Sequence, residues 1–225
     1  MDEDGSIATS YTTLAGDHVR EIQIRRSRFI THLRRSGTED QARALVAELR
    51  KTHVDARHHC SAFVIGPDRA VQRSSDDGEP SGTAGAPMLE ALTRRETAPG
   101  RADLSDVAAV VVRYFGGVLL GAGGLVRAYS EAVSAALDDA TLVHRQRMRL
   151  FGIDADHARA GRLENELRGF GTEVLGTDYG ASAATLRIAV PDDAEAVASF
   201  AERLATLTAG AATAVPGGTR WVDLP

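Results

Sequence analysis

One cysteine, Cys60, in a chain of 225 residues rules out any internal disulfide. Lysine is equally scarce: Lys51 is the single lysine among 26 basic residues, a bias we read as compositional rather than functional. No charged n-region followed by an apolar core opens the sequence, so its start does not read as a secretory signal. The one long apolar run, residues 107–126, is interrupted by Arg113 and carries five glycines. A central Arg costs about 2.5–3.5 kcal/mol on insertion scales, and no second apolar segment supports a membrane reading. An excess of positive charge is also missing, since the net charge is −5, which argues against a general nucleic-acid coat. With 43% hydrophobic and 25% charged residues, the composition is that expected of a cytoplasmic globular protein with one large or two small domains.

Charge position says more than the total. Residues 1–18 carry Asp2, Glu3, Asp4 and Asp17 with no Lys or Arg, which predicts a flexible acidic tail. Arg20, Arg25, Arg26, Arg28, Arg34 and Arg35 then crowd a short segment opposed locally only by Glu21, a stripe of the kind that meets phosphates or forms a solvated strand edge.

The periodicity predicts a strand over residues 21–32. A helix follows, opened by Thr38 with Gln41 in a capping box and carried by Ala42, Leu45, Val46 and Leu49. Strands are expected over 59–65 and 70–74, joined by a turn at Gly66-Pro67-Asp68. After the polar loop SSDDGEPSGTAGAP comes a helix through Met88 and Leu92. The buried strand AAVVVRYF then empties into a glycine-rich loop that opens a helix near Gly123. Beyond about residue 141 the order strand 148–154, helix 156–168, strands 172–177 and 183–190, helix 192–207, strand 211–215 predicts a ferredoxin-like βαββαβ sandwich. Asp192 and Glu195 are read as its second capping pair. The expected domains are thus 19–140 and 141–225.

Two segments carry candidate chemistry. Gly116, Gly117, Gly121, Gly123 and Gly124 let a backbone turn tightly or approach a ligand closely, and the amides of the following helix favour an anion, with Arg113 and Arg127 flanking. Of the adjacent aromatics Tyr114 and Phe115, Tyr114 is expected to be the exposed one and to offer a stacking face. The facing loop Asp76, Asp77, Gly78, Glu79, Pro80, Ser81, Gly82, Thr83 and Gly85 supplies acids and hydroxyls that could hold magnesium or act as acid and base. It also has the composition of a tight structural turn. His53, Asp55, His58, His59 and Cys60 have metal-ligand chemistry without a zinc spacing, and strand alternation sends His59 to the face opposite His58 and Cys60; no metal is expected.

These motifs, DDGEPSGTAGAPML at residues 76–89 and VRYFGGVLLGAGGLVRAY at residues 112–129, resemble the YigZ/IMPACT family (UPF0029) of the bacterial two-domain type. Arg28-Phe29-Ile30 and Ala56-Arg57-His58-His59-Cys60 look like further family segments. The resemblance implies an α+β fold. It pairs an N-terminal domain like domain 2 of ribosomal protein S5 with a smaller ferredoxin-like domain similar to those of translational elongation factors. It also implies a translation-associated role, since eukaryotic relatives regulate translation through protein contacts. Members commonly carry Lys where this chain has Leu119. The leading expectation is a protein without established catalysis that binds RNA, a ribosome-associated factor or a nucleotide-like phosphate anion, with no cofactor. A nucleotide-dependent phosphotransferase or hydrolase using magnesium is one alternative, although no P-loop lysine accompanies the loop, and a protein-interaction module is the other. The chain leaves its oligomeric state open.

Overall fold

The computed structural model describes residues 8–224, and the chain forms two compact units, the first ending at His144 and the second running from Arg145 to Leu224. Among the described residues no helix is long and apolar enough to cross a membrane. In the first unit the elements are β1 (Ser10–Leu14), β2 (His18–Ile24), β3 (Ser27–Arg35), α1 (Glu39–Thr52), β4 (His58–Ile65), β5 (Val71–Ser75), α2 (Gly85–Thr93), β6 (Val107–Tyr114) and α3 (Ala122–Asp139). Their main sheet is antiparallel throughout, in the order β2-β3-β6-β4-β5.

The apolar run VAAVVV takes the centre because only a strand covered on both faces tolerates unbroken hydrophobicity. Its odd residues, Val107, Ala109 and Val111, pack with Phe29, Leu33, Cys60 and Val64 under α2 and α3. The even ones, Ala108, Val110 and Val112, pack with Ile30 and Phe63 under α1. The result is a three-layer unit whose strand ends are fixed by register: Tyr114 lies opposite Arg28, and Arg113 opposite His58.

The structure corrects the expected boundaries in several places. The single strand over 21–32 is a hairpin, turned at Arg25 and Arg26 with φ of 45° and 69°. Two left-handed residues in succession give the twist that joins antiparallel strands, but an Arg-Arg pair carries none of the Asn-Gly signal that advertises such a turn. Part of the segment expected to be a mobile tail is ordered, because Tyr11 and Leu14 of β1 are buried apolar anchors; residues 1–7 lie outside the described residues. At α1 the Thr38 hydroxyl accepts from Gln41 N–H as expected, but the Gln41 side chain returns to the Gly37 N–H rather than to Thr38.

β7 (Leu142–Ala155) begins in the last residues of the first unit, where β1 pairs with it, and continues into the second; there α4 (His157–Gly169), β8 (Glu173–Tyr179), β9 (Ala184–Pro191), α5 (Ala194–Thr208) and β10 (Ala214–Leu224) complete the strand order β10-β7-β9-β8, the 4-1-3-2 arrangement of a ferredoxin-like sheet. The core is built from Phe151, Ile153, Leu163, Leu167, Leu186, Ile188, Phe200 and Leu204. Here the helix cap is Asp193, which accepts from Ala196 N–H, and not Asp192. Asp192 is buried and receives the guanidinium groups of both Arg147 and Arg149. The last strand also extends well past the expected 211–215.

Candidate anion and nucleic-acid interface

One end of the first unit's sheet gathers the segments singled out in the sequence. The loop after β5, residues 76–84, and the loop after β6, residues 115–121, both leave from it, beside the Arg25–Arg26 turn that precedes β3 and the linker that precedes β4. The acidic loop is held from within. Burial opposes ionisation of Asp76, but its carboxylate accepts backbone N–H groups from Gly82 (2.7 Å), Ala84 (3.0 Å) and Gly85 (2.8 Å), which hold its pKa below the ordinary carboxylate value. Asp77, at φ 43°, receives the His59 N–H at 2.6 Å and the Arg50 guanidinium, while its carbonyl takes a hydrogen bond from His58 Nδ1 at 2.9 Å. Gly85 is glycine for packing: a Cβ there would lie 2.7 Å from Ser75 N.

Glu79 ties the two loops together. Its carboxylate is 4% exposed and meets the 7% exposed Arg113 guanidinium at 2.6 Å; the Tyr129 hydroxyl donates to the same oxygen at 2.8 Å. Cys60 Sγ sits 3.3 Å from that hydroxyl and 3.0 Å from the Asp76 carbonyl, and burial pushes the thiol up to about 12, so it is no thiolate nucleophile near neutrality. Asp76, Asp77 and Glu79 are therefore each engaged by internal donors. They do not fit magnesium, and no step through that metal is derived.

Arg113 is accordingly not a free cation flanking the glycine loop; it is a buried partner inside it. Its guanidinium lies 5.4 Å from the Phe29 ring centre and 5.8 Å from that of Phe115. The aromatic expectation also reverses: Tyr114 is half-buried, with its hydroxyl 3.0 Å from His53 Nδ1 and Arg28 over its ring, and Phe115 is the exposed one. The glycines divide by task. Gly116 abuts the arginine turn, where a Cβ would fall 2.1 Å from the Arg26 carbonyl carbon and oxygen, while Gly117 and Gly121 take φ of 84° and 71°. Gly123 has neither a positive φ nor any atom within 4 Å of a Cβ. Neither turn nor packing requires glycine there, and Arg127, one turn later on the same helix face, is exposed.

Three arginines of the basic stripe read from the sequence are neutralised by carboxylates, one of which, Glu21, lies within the stripe. Arg20 pairs with Asp139, Arg28 with Glu21, and Arg34 with Asp17 and Glu48. Arg25, Arg26, Arg57 and Arg127 make no ion pair among the described residues and are exposed. Arg57 lies at this end because it precedes His58, the partner of Arg113; its motif Ala56-Arg57-His58-His59-Cys60 carries no local signal for that placement.

A family model described as the Impact N-terminal domain matches residues 25–137, so it spans both loops and the buried pair that joins them. The chain belongs to the IMPACT family. A second model, described as a domain of unknown function (DUF1949), matches residues 153–211. IMPACT family member YvyE of Bacillus subtilis is 50% identical over 161 residues, covering 71% of this chain and 70% of its own. IMPACT family member YigZ of Escherichia coli is 40% identical over 190 residues, covering 84% and 88%. A crystal structure described as that of a hypothetical protein superposes with a TM-score of 0.59 at 36% identity, covering 92% of this chain and 97% of that one.

Histidines populate the other side of this IMPACT sheet, under the end of α1. The rings of His32 and His53 lie 5.6 Å apart, and Nε2 of His32 and of His59 is buried without a hydrogen-bond partner among the described residues. Burial, then His53 and Arg34, lowers the pKa of His32 against the opposing pull of Glu48; burial and Arg50 lower that of His59 against Asp77. Both rings thus stay neutral in the fold below the ordinary value of 6.5, whereas the unfolded chain charges there. Unfolding takes up protons in that window, so stability is expected to fall as pH drops from about 7.5 to about 5.5. The depressed carboxylates Asp76 and Glu48 lose their contribution only at lower pH. Urea midpoints across this range check the expectation; a profile unaltered in a His32→Gln, His59→Gln variant would contradict it.

Proposed function

We propose that this chain is a translation-associated regulatory protein that binds RNA or a nucleotide-like anion at the loop end of its first unit. The observation that carries this reading is the set of exposed arginines without an ion pair among the described residues, Arg25, Arg26, Arg57 and Arg127, at the glycine-loop end of the sheet. On the same unit Arg20, Arg28, Arg34, Arg43, Arg50 and Arg113 are matched by carboxylates, so this local surplus of positive charge stands out on a chain of net charge −5. The amides at Gly123 and Gly124 add donors at the start of α3, and Gly123 leaves the approach to them open. The translation role rests on the family resemblance.

Binding of this kind is backbone-led and steep in salt. For a single strand, each neutralised phosphate contributes about −0.7 to the slope of log affinity against log salt. Arg127→Ala is expected to weaken RNA binding several-fold and to flatten that slope by about 0.7. Fluorescence anisotropy over a salt series measures both, and an unchanged affinity and slope would remove Arg127 from the interface. The phosphotransferase alternative draws no support from the facing loop, whose three carboxylates are bound to N–H groups, Arg50 and Arg113.

A further inference from the structure

The same loop end carries an exposed apolar surface that a purely phosphate-binding site would not need. Phe115 is 49% exposed, Val118 37%, Leu119 83% and Val126 38%. They are not scattered: three belong to one loop, and the fourth lies on the first turns of the helix that the loop opens. Gly116, pressed against Arg26, sets Phe115 beside the arginine turn, and Val126 directly precedes Arg127. Apolar and cationic side chains therefore interleave on one surface.

Resting on the function proposed above, we propose that the ligand is single-stranded RNA, whose unpaired bases pack on Phe115 and Leu119 while its phosphates meet Arg25, Arg26, Arg57 and Arg127. An A-form duplex turns phosphates and riboses outward and hides the base faces, so it satisfies the arginines and leaves the apolar residues wet. Unstacked bases supply the missing apolar area, and every base has a face to offer an aromatic ring. Phe115 is prepared for this. The Arg113 guanidinium covers the ring from within, and Arg113 is itself fixed by Glu79 and rests on Phe29. A platform held in place before binding loses little freedom when a base settles on it. Tyr114 offers no comparable face, being half-buried between Arg28 and His53.

The test compares a labelled single-stranded RNA of about ten nucleotides with a duplex of the same length on the full chain, by anisotropy across a salt series. The single strand is expected to bind at least about tenfold tighter, with a salt slope of about −2 to −3. A Phe115→Ala, Leu119→Ser variant should lose about tenfold in single-strand affinity, the scale of one stacked base, and keep both its salt slope and its weak duplex binding. An Arg25→Ala, Arg127→Ala variant should lose affinity for both RNAs and flatten both slopes. Equal affinity for duplex and single strand, or an unaffected Phe115 and Leu119 variant, overturns the single-strand inference and leaves the general anion reading standing. Binding of neither RNA at about 50 mM salt overturns the single-strand inference together with the RNA part of the proposed function, and a nucleotide that then binds with Arg127-dependent affinity keeps the anion part.

Discussion

Arg113→Met is expected to cost the first unit about 3–5 kcal/mol of stability, the loss found when one member of a buried ion pair is removed and the other left behind. Glu79 would then keep a single donor, the Tyr129 hydroxyl, in a site with almost no access to water. The carboxylate must take up a proton or draw water between α3 and the sheet, and either route loosens the join between the two loops. Most of this cost belongs to the stranded charge and not to the pair as such. A Glu79→Gln, Arg113→Met double variant is therefore expected to be more stable than Arg113→Met alone, because the amide needs no counter-charge. Urea unfolding of the single and double variants reads the coupling directly. A loss below about 1 kcal/mol for Arg113→Met would mean that the pair is solvated in solution and does not hold Phe115 in place.

How much of this was legible in the sequence depended on the range of the interaction. The central strand, the first helix and the βαββαβ order of the second unit show in short-range periodicity, and the structure forms them. The pairing of the two glycine-bearing loops was expected from the motifs, but the residue that joins them was assigned the wrong task. An arginine at the end of an apolar strand reads locally as a flanking cation, and only its contact with Glu79, 34 residues earlier in the chain, turns it inward. The basic stripe divides for the same reason: Arg20 finds its acid at Asp139, 119 residues away, while Arg25 and Arg26 stay exposed. Asp192 and Asp193 are adjacent and chemically identical, so local pattern could not tell which caps the helix and which receives two arginines. Phe115 and Tyr114 alternate faces as expected, but which face is covered depends on the placement of His53 and Arg28.

Gly116 of the loop and Gly123 in the first turn of the helix it opens should respond to alanine in opposite directions, and this contrast tests whether this end of the sheet is built around a ligand-facing surface. Gly116→Ala is expected to cost about 1–3 kcal/mol, because its methyl group would lie 2.1 Å from the Arg26 carbonyl and 2.5 Å from Ser27 N. Those atoms are backbone, so relief requires the hairpin turn to move away and the Gly116 N–H to release the Ser27 hydroxyl, now 3.2 Å distant. Gly123→Ala meets no atom and gains helix propensity, so the fold should become more stable, by up to about 1 kcal/mol. Thermal or urea unfolding of the two variants supplies the measurement. Stabilisation at Gly123 would identify a glycine kept at a cost to the fold, which is understandable where the first turn of α3 must stay open. If Gly116→Ala is instead tolerated, the Arg25–Arg26 turn does not bear on the loop in solution. The interleaving of arginines with Phe115 and Leu119 would then lose its geometric basis, and single-strand preference would have to come from elsewhere on the chain.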